Sequence, residues 1–292
     1  MSKILISGLV NVEVTCSIGE FPITYCPIDY NFFGINMEVS GVGYNVAKAL
    51  ATLGDEVNVT SFLGDDLSAE LVETKLGTIV MDSELLCKDL SQTPLSVVLY
   101  DEDGKRKIYC DLKDIQDKEY DYTNVDVSEY DIAVVCNINF SRALLKKAKE
   151  AGVKIFTDVH VLGDLEDAYN KDFLEQANVV FLSNEAVIGK EKEFVEEIAQ
   201  RFHNEIIVMG CGSKGAVMYV RDEDKFYEMP AERPEKIVNT VGAGDALFSA
   251  FVSLYAKGYT PAECLAYAQK FAAHKIGFDG ASKGFMTMEE LL

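Results

Sequence analysis

The sequence has 292 residues, 48% of them hydrophobic, enough for one large α/β unit with a small appendage. Its 48 acidic and 27 basic residues give a formal net charge of −21, which argues against a nucleic-acid or anionic-membrane surface. Seven cysteines form no C-x-x-C pair and three histidines show no metal-ligand spacing, so reduced thiols in a cytoplasm are expected rather than a disulfide framework.

Lys3 to Leu9 is a short apolar run without helical period, hence a buried strand. It is too short to span a bilayer and runs into Asn11-Val12-Glu13 without a cleavage pattern, so it is not read as a signal peptide. Val10 to Val39 mixes β-branched, aromatic and polar residues, broken by Pro22 and Pro27, and fits an insertion of short strands. From Gly43 to Leu53, Val46, Ala49, Leu50 and Leu53 share one helical face, and Gly54 stops the helix. Val57 to Leu63 is a strand, followed by a turn at Gly64-Asp65-Asp66 and a helix ending near Gly77. Leu95 to Tyr100 and Lys105 to Cys110 flank Asp101-Glu102-Asp103-Gly104, a hairpin signal. Paired with the first insertion, this hairpin would form a lid from residues 12–39 and 95–113.

From Tyr130 the chain alternates apolar strand and helix: Ile132 to Val135, a helix capped by Ser141 and ending at Gly152, Val153 to Thr157, Val179 to Leu182, the helix Glu191 to His203, and Ile206 to Met209. That alternation means a mostly parallel sheet covered on both faces. Gly215 to Glu228 reads as an edge hairpin, and helices Ala243 to Lys257 and Pro261 to Gly277 close the unit. In the first of these, Leu247, Ala250, Phe251 and Leu254 form an apolar stripe, so it reads as amphipathic.

Asn239-Thr240-Val241-Gly242-Ala243-Gly244-Asp245 stands before that stripe. Small residues at a helix start leave unpaired amides that an anion can approach. A carboxylate there has two readings: an N-terminal charge favoured by the helix dipole, or a general base beside a phosphoryl group. In a doubly wound sheet, ligands gather at the carboxyl ends of the strands. That rim would carry Glu13, Gly41 to Asn45, Asp158, Asn184, Gly212 and Asp245. His160 lies on it too, either touching substrate or as a hydrogen-bonded loop residue.

The Gly242-Ala243-Gly244-Asp245 segment resembles the C-terminal signature of the ribokinase-like (PfkB-type) carbohydrate kinases. Ser40-Gly41-Val42-Gly43-Tyr44-Asn45-Val46-Ala47, running to Leu53-Gly54, is similar to the family's N-terminal glycine signature. The resemblance covers essentially the whole chain, 1–292, and implies one α/β three-layer sandwich with an inserted β lid. It implies an ATP-dependent phosphotransferase with Asp245 as base and the Gly242, Ala243 and Gly244 amides as anion hole. Gly41, Val42, Gly43 and Asn45 would line the acceptor site, with Glu13 where relatives usually carry Asp.

Cys211-Gly212-Ser213-Lys214-Gly215 resembles the family's nucleotide loop, with Gly212 and Gly215 as its glycines, although Gly210 stands where Thr or Lys is usual. Asn184 matches the start of an Asn-x-x-Glu motif, but Val187 takes the place of the Glu that organises water around Mg2+ in relatives. Glu185 is the stand-in for that metal role. Asn239 replaces an Asp that belongs to a monovalent-cation site in several relatives, so potassium activation is not assumed. The glycine block, Asn11-Val12-Glu13-Val14-Thr15 and Cys136-Asn137-Ile138-Asn139 look most like the family's pseudouridine-acting members, which favours a nucleoside-like acceptor. A plain pentose or hexose remains open, as does a sensor that binds without transferring phosphate. A dinucleotide oxidoreductase fails, because no G-x-G-x-x-G joins the first strand to a helix. The expected partners are a small-molecule acceptor and a second copy of the chain, paired through the lid, with no nucleic acid and no membrane.

Overall fold

The structure, a computed structural model, describes residues 1–101 and 105–292. β1 (Lys3–Ser7) carries Ile4, Leu5 and Ile6 without exposure, as a central strand covered on both faces requires. The chain then leaves the main sheet for β2 (Asn11–Ser17) and β3 (Ile35–Ser40), and returns through α1 (Val42–Thr52) and β4 (Glu56–Leu63). α2 (Leu67–Leu76) starts at Asp66, whose carboxylate accepts the Ala69 amide at 2.9 Å. β5 (Leu86–Lys88) extends the main sheet, after which β6 (Leu95–Tyr100) and β7 (Arg106–Asp111) form the expected hairpin. Its Asp-Gly turn lies outside the described residues.

β8 (Ile132–Val135), α3 (Arg142–Ala151), β9 (Lys154–Val161), α4 (Lys171–Gln176), β10 (Val179–Ser183), α5 (Glu191–Arg201) and β11 (Ile206–Gly210) continue the alternation. The hairpin of β12 (Ala216–Val220) and β13 (Lys225–Met229) follows, then α6 (Ala243–Ala256), α7 (Pro261–Lys275) and the short α8 (Met288–Leu291). The main sheet has the order β13-β12-β11-β10-β9-β8-β1-β4-β5, parallel throughout except at β12 and β13. Side-chain alternation divides the core. Ile4 and Ile6 join α1, α6 and α7 on one face, and Leu5 joins α3 and α5 on the other. This is the three-layer α/β sandwich expected from the strand–helix alternation.

The second sheet has the order β3-β2-β6-β7, with β2 and β6 parallel although far apart in sequence. Its strands occupy the two ends of the first insertion; residues 18–34 contain none. Its faces differ in chemistry. Asn11, Glu13, Glu38, Ser40 and Ser96 share one face. Val14, Met37, Val97 and Tyr109 share the other, where Met37, Val97 and Tyr109 are exposed.

Three local expectations change. Ser141 does not cap α3 with its side chain; its Oγ is buried and hydrogen-bonded to Ser7 Oγ at 2.9 Å. α6 is not amphipathic, because it is wedged between the sheet, α1 and α7, and every residue from Ala246 to Leu254 is buried. Among those, Ser249 satisfies its hydroxyl on the Asp245 carbonyl at 2.6 Å. β5, α4 and α8 are too short, at 3, 6 and 4 residues, to leave a period in the sequence.

Candidate active site

α1 and α6 pack side by side with their N-termini at the carboxyl edge of the sheet. This brings together an asparagine and an aspartate side chain 200 positions apart. Asn45 Nδ2 donates to Asp245 Oδ2 at 2.7 Å. The close fit of α1 rests on small residues: Gly43 donates its N–H to the Leu9 carbonyl at 2.9 Å, and a Cβ on it would lie 2.8 Å from the Gly8 backbone. Val42 and Gly41 sit in the same turn, Val42 packed against the core.

α6 begins at Ala243 with Gly242 as its N-cap in the left-handed region (φ 77°) and no side chain capping it. The Ala243 amide donates to the Thr240 carbonyl at 3.2 Å, and the Ala246 amide to the Gly242 carbonyl at 2.9 Å. Between them, the Gly244 and Asp245 amides meet no acceptor among the described residues. A Cβ at Gly242 would lie 2.4 Å from the Ala281 carbonyl oxygen, whereas one at Gly244 would meet nothing within 4 Å. Gly242 is thus shaped by the protein, and Gly244 faces free space beside unpaired donors.

Burial raises the Asp245 carboxyl above the ordinary carboxylate range; His160, the Asn45 hydrogen bond and Lys275 oppose that rise, and Asp158 adds to it. Glu13 is raised as well, by burial first and then by Glu38 and Asp245, against its hydrogen bond from Ser40 and the charge of Lys275. Asp158 lies within β9, three residues before its end, where it accepts the His160 amide at 2.8 Å, and His160 takes a left-handed backbone (φ 57°). His160, Asp158 and Lys275 are thus close enough to act on Asp245, and Asp245 and Lys275 on Glu13, which lies on the polar face of the second sheet.

Three residues along this edge were not singled out from the sequence. Asn11, 3% exposed, donates to Ser96 Oγ at 2.9 Å and leaves its Oδ1 without a partner among the described residues. Asn45 Oδ1 is unpartnered in the same way. Two buried acceptors are thus left over at this end of the sheet, and buried acceptors call for a donor. Asn11 could have been found from strand period, since it lies two residues before Glu13. Lys275, 0% exposed, closes α7 and hydrogen-bonds through its ammonium to the Val241 carbonyl. Its signal was positional: it falls in the buried stripe Cys264, Ala268, Phe271, Lys275. Glu191 is the third, accepting from Asn184 Nδ2 at 2.8 Å, a bond that holds its carboxyl below the usual range.

Farther along the edge, the loop of Gly212 and Gly215 closes on itself, with the Cys211 amide donating to the Gly215 carbonyl at 2.7 Å. It borders a cleft lined by Glu191, Cys211, Lys214, Val217 and Met229. Glu185 lies in the turn after β10 with its side chain exposed, and it is Glu191 that pairs with Asn184. Among the described residues, no cluster of three or more His, Cys, Asp or Glu could cage a metal ion. Nor is any described helix long and apolar enough to cross a membrane.

The pfkB family carbohydrate kinase profile matches residues 13–287. The chain belongs to this family. An ATP-dependent ribose-1-phosphate kinase of Halopiger xanaduensis is 24% identical over 96% of this chain and 94% of its own. A nucleoside kinase of Methanocaldococcus jannaschii is 22% identical over 100% of this chain and 96% of its own. Among solved structures, a microbiome-derived acarbose kinase, Mak1, superposes with a TM-score of 0.88 at 23% identity, covering 99% of this chain and 97% of that one. The pfkB chain described here is a sugar or nucleoside kinase with the ribokinase-type fold.

Proposed function

We propose that this kinase moves the γ-phosphoryl group of ATP to a primary hydroxyl of a neutral, nucleoside-like acceptor, with Asp245 as general base. The observation that carries this is the end of α6: a carboxylate raised by burial, oriented by Asn45, directly beside two amides with no acceptor of their own. A protein that only binds sugar needs neither feature.

The acceptor hydroxyls would donate to the free Oδ1 atoms of Asn11 and Asn45 and to Glu13. Asp245 takes the proton of the primary hydroxyl as its oxygen bonds the γ-phosphorus, and the bond to the β–γ bridging oxygen breaks to release ADP. Phosphoryl transfer asks for positioning and charge stabilisation, which the Gly242, Ala243 and Gly244 turn with its free amides supplies. The nucleotide would lie along the cleft by Asn184, Gly212 and Gly215. Mg2+ arriving with the triphosphate would neutralise phosphate charge, held largely by water and phosphate oxygens. Asn184 and Glu191 are the residues that would hold that water, ahead of Glu185.

A neutral acceptor is supported by the lid: Glu13 and Glu38 stand opposite each other on its polar face, so a phosphorylated sugar would meet two carboxylates, one of them paired with Lys283. An acceptor such as pseudouridine is favoured by the apolar Val42 and by the nucleoside kinase among the relatives. A simple pentose or hexose is the second choice; the ribose-1-phosphate kinase among the relatives is instead the reason that sugar phosphates belong in the test.

The apolar outer face of the lid would pair two copies into a dimer, covering Ile35, Met37, Val97 and Tyr109. All seven cysteines are free thiols, which supports a reducing cytoplasm. The experiment is coupled ADP release with ATP and magnesium against pentoses, hexoses, their phosphates, nucleosides and pseudouridine. Turnover on nucleosides is expected. Turnover on phosphorylated sugars alone would refute the neutral acceptor, and thermal stabilisation without turnover would favour a sensor.

A further inference from the structure

Lys275 is a charged side chain in a place where charge is costly. It has no exposed surface, and burial depresses its pKa from 10.5 to about 8. An apolar residue of equal volume would avoid that penalty. Three features hold the ammonium there. It closes α7, where the helix dipole favours a cation. It hydrogen-bonds to the Val241 carbonyl. The carboxylates of Asp245, Asp279 and Glu13 favour its charge, and Arg106 opposes it.

The carbonyl it grips belongs to the turn that opens α6. The same turn is fastened from the segment after α7 at further points: the Val238 and Asn239 amides donate to the Ile276 carbonyl at 2.8 and 3.1 Å, and Asn239 Nδ2 to Asp279 Oδ1 at 3.3 Å. Asn239 Oδ1 in turn accepts the Val241 amide at 2.8 Å. With the Val241 carbonyl turned toward Lys275, the next free donors along the chain are the Gly244 and Asp245 amides on the rim. In a chain of net charge −21, with Glu13, Asp158, Asp245 and Asp279 around the site, an incoming phosphoryl group needs a fixed positive charge close by.

We infer that the Lys275 ammonium is a built-in cation that holds the Val241–Asp245 turn in its anion-binding form, so that this enzyme needs no monovalent cation from solution. This rests on the kinase function proposed above. Lys275 is a positioning residue: it acts through the Val241 peptide rather than on the reacting atoms.

The test compares the wild type, Lys275→Met and Lys275→Ala in potassium chloride, ammonium chloride and tetramethylammonium chloride. Wild-type kcat should be the same in all three salts. Lys275→Met should fold, as read by circular dichroism, yet lose about 10²-fold in kcat, the scale of a lost oxyanion donor, with a much smaller change in acceptor KM. Lys275→Ala should regain at least tenfold activity with ammonium or methylammonium, and none with tetramethylammonium, which is too large for the vacated space. A merely structural lysine would show no such rescue. A wild type that loses tenfold or more without potassium, or a Lys275→Met enzyme with unchanged kcat, overturns the inference while leaving the kinase function intact. If the wild type turns over no acceptor, the kinase function itself fails, and ATP titration in potassium-free buffer still judges the lysine. Binding about tenfold weaker in Lys275→Met supports it, and equal binding overturns it.

Discussion

Gly242 and Gly244 look alike in the sequence, but their surroundings call for opposite effects when each is replaced by alanine. Gly242 has φ 77°, and a Cβ there would sit 2.4 Å from the Ala281 carbonyl oxygen. The left-handed backbone costs alanine about 1–2 kcal/mol, and relieving the contact with a backbone atom adds about 1–3 kcal/mol. For a chain of this size the sum lowers Tm by on the order of 10 °C. Gly244 is the second residue of α6, and its Cβ would meet no protein atom within 4 Å. Alanine there gains roughly 0.5–1 kcal/mol of helix propensity, so Tm should hold or rise by about 2 °C. The added methyl would project into the space that a phosphoryl oxygen must enter to reach the Gly244 and Asp245 amides, so kcat should fall about 10²-fold. Scanning calorimetry and ADP-release kinetics on both variants decide the matter. A Gly244→Ala enzyme with wild-type kcat would refute the assignment of the anion hole to this turn. A Gly242→Ala protein as stable as the wild type would refute the packing against Ala281.

Other expectations follow from the same site. Asn45→Ala removes the bond to Asp245 and one of the two unpartnered acceptors, so acceptor KM should rise and kcat fall, each about tenfold, in steady-state kinetics. The depressed pKa of Lys275 makes the folded state bind fewer protons than the unfolded chain between about pH 8 and 10.5, so its contribution to stability improves as pH rises through that window. The stability of Lys275→Met relative to the wild type should therefore fall by about 3 kcal/mol across it, while wild-type kcat falls above pH 8; urea titrations and a pH–rate profile read the two. Met37→Glu with Val97→Glu should convert a dimer to a monomer in analytical ultracentrifugation, and a monomeric wild type would refute pairing through the lid.

The sequence carried the parallel sheet clearly, because apolar runs such as Ile4–Ile6 and Ile206–Met209 admit little else. The glycine blocks were expected on one rim of that sheet, and Asn45 and Asp245 do meet there. What stayed hidden depends on tertiary neighbours. Ser141 has the residue type of a cap, but Ser7 offers its hydroxyl a buried partner across the sheet. The stripe on α6 looked one-sided only because Ser249 and Ser253 count as polar; buried, they bond to the Asp245 carbonyl and to Asp55. Lys275 reads as an ordinary helix-terminal lysine until α7 is laid against the α6 turn. The parallel pairing of β2 with β6 has no local signature, since its partners come from separate segments.

The most direct test of the central claim is single-turnover phosphoryl transfer by Asp245→Asn with the acceptor identified from the panel. Asn keeps the size of the side chain and can still accept the Asn45 hydrogen bond; the relief of burying a carboxylate is offset by the loss of a charge beside Lys275, so the variant should fold with a Tm near that of the wild type at pH 7. The expected result is intact acceptor and ATP binding with a rate lowered by about 10²–10⁴, the range of a lost general base. A variant that binds both ligands and transfers phosphate at the wild-type rate would contradict the assignment of Asp245 as the base.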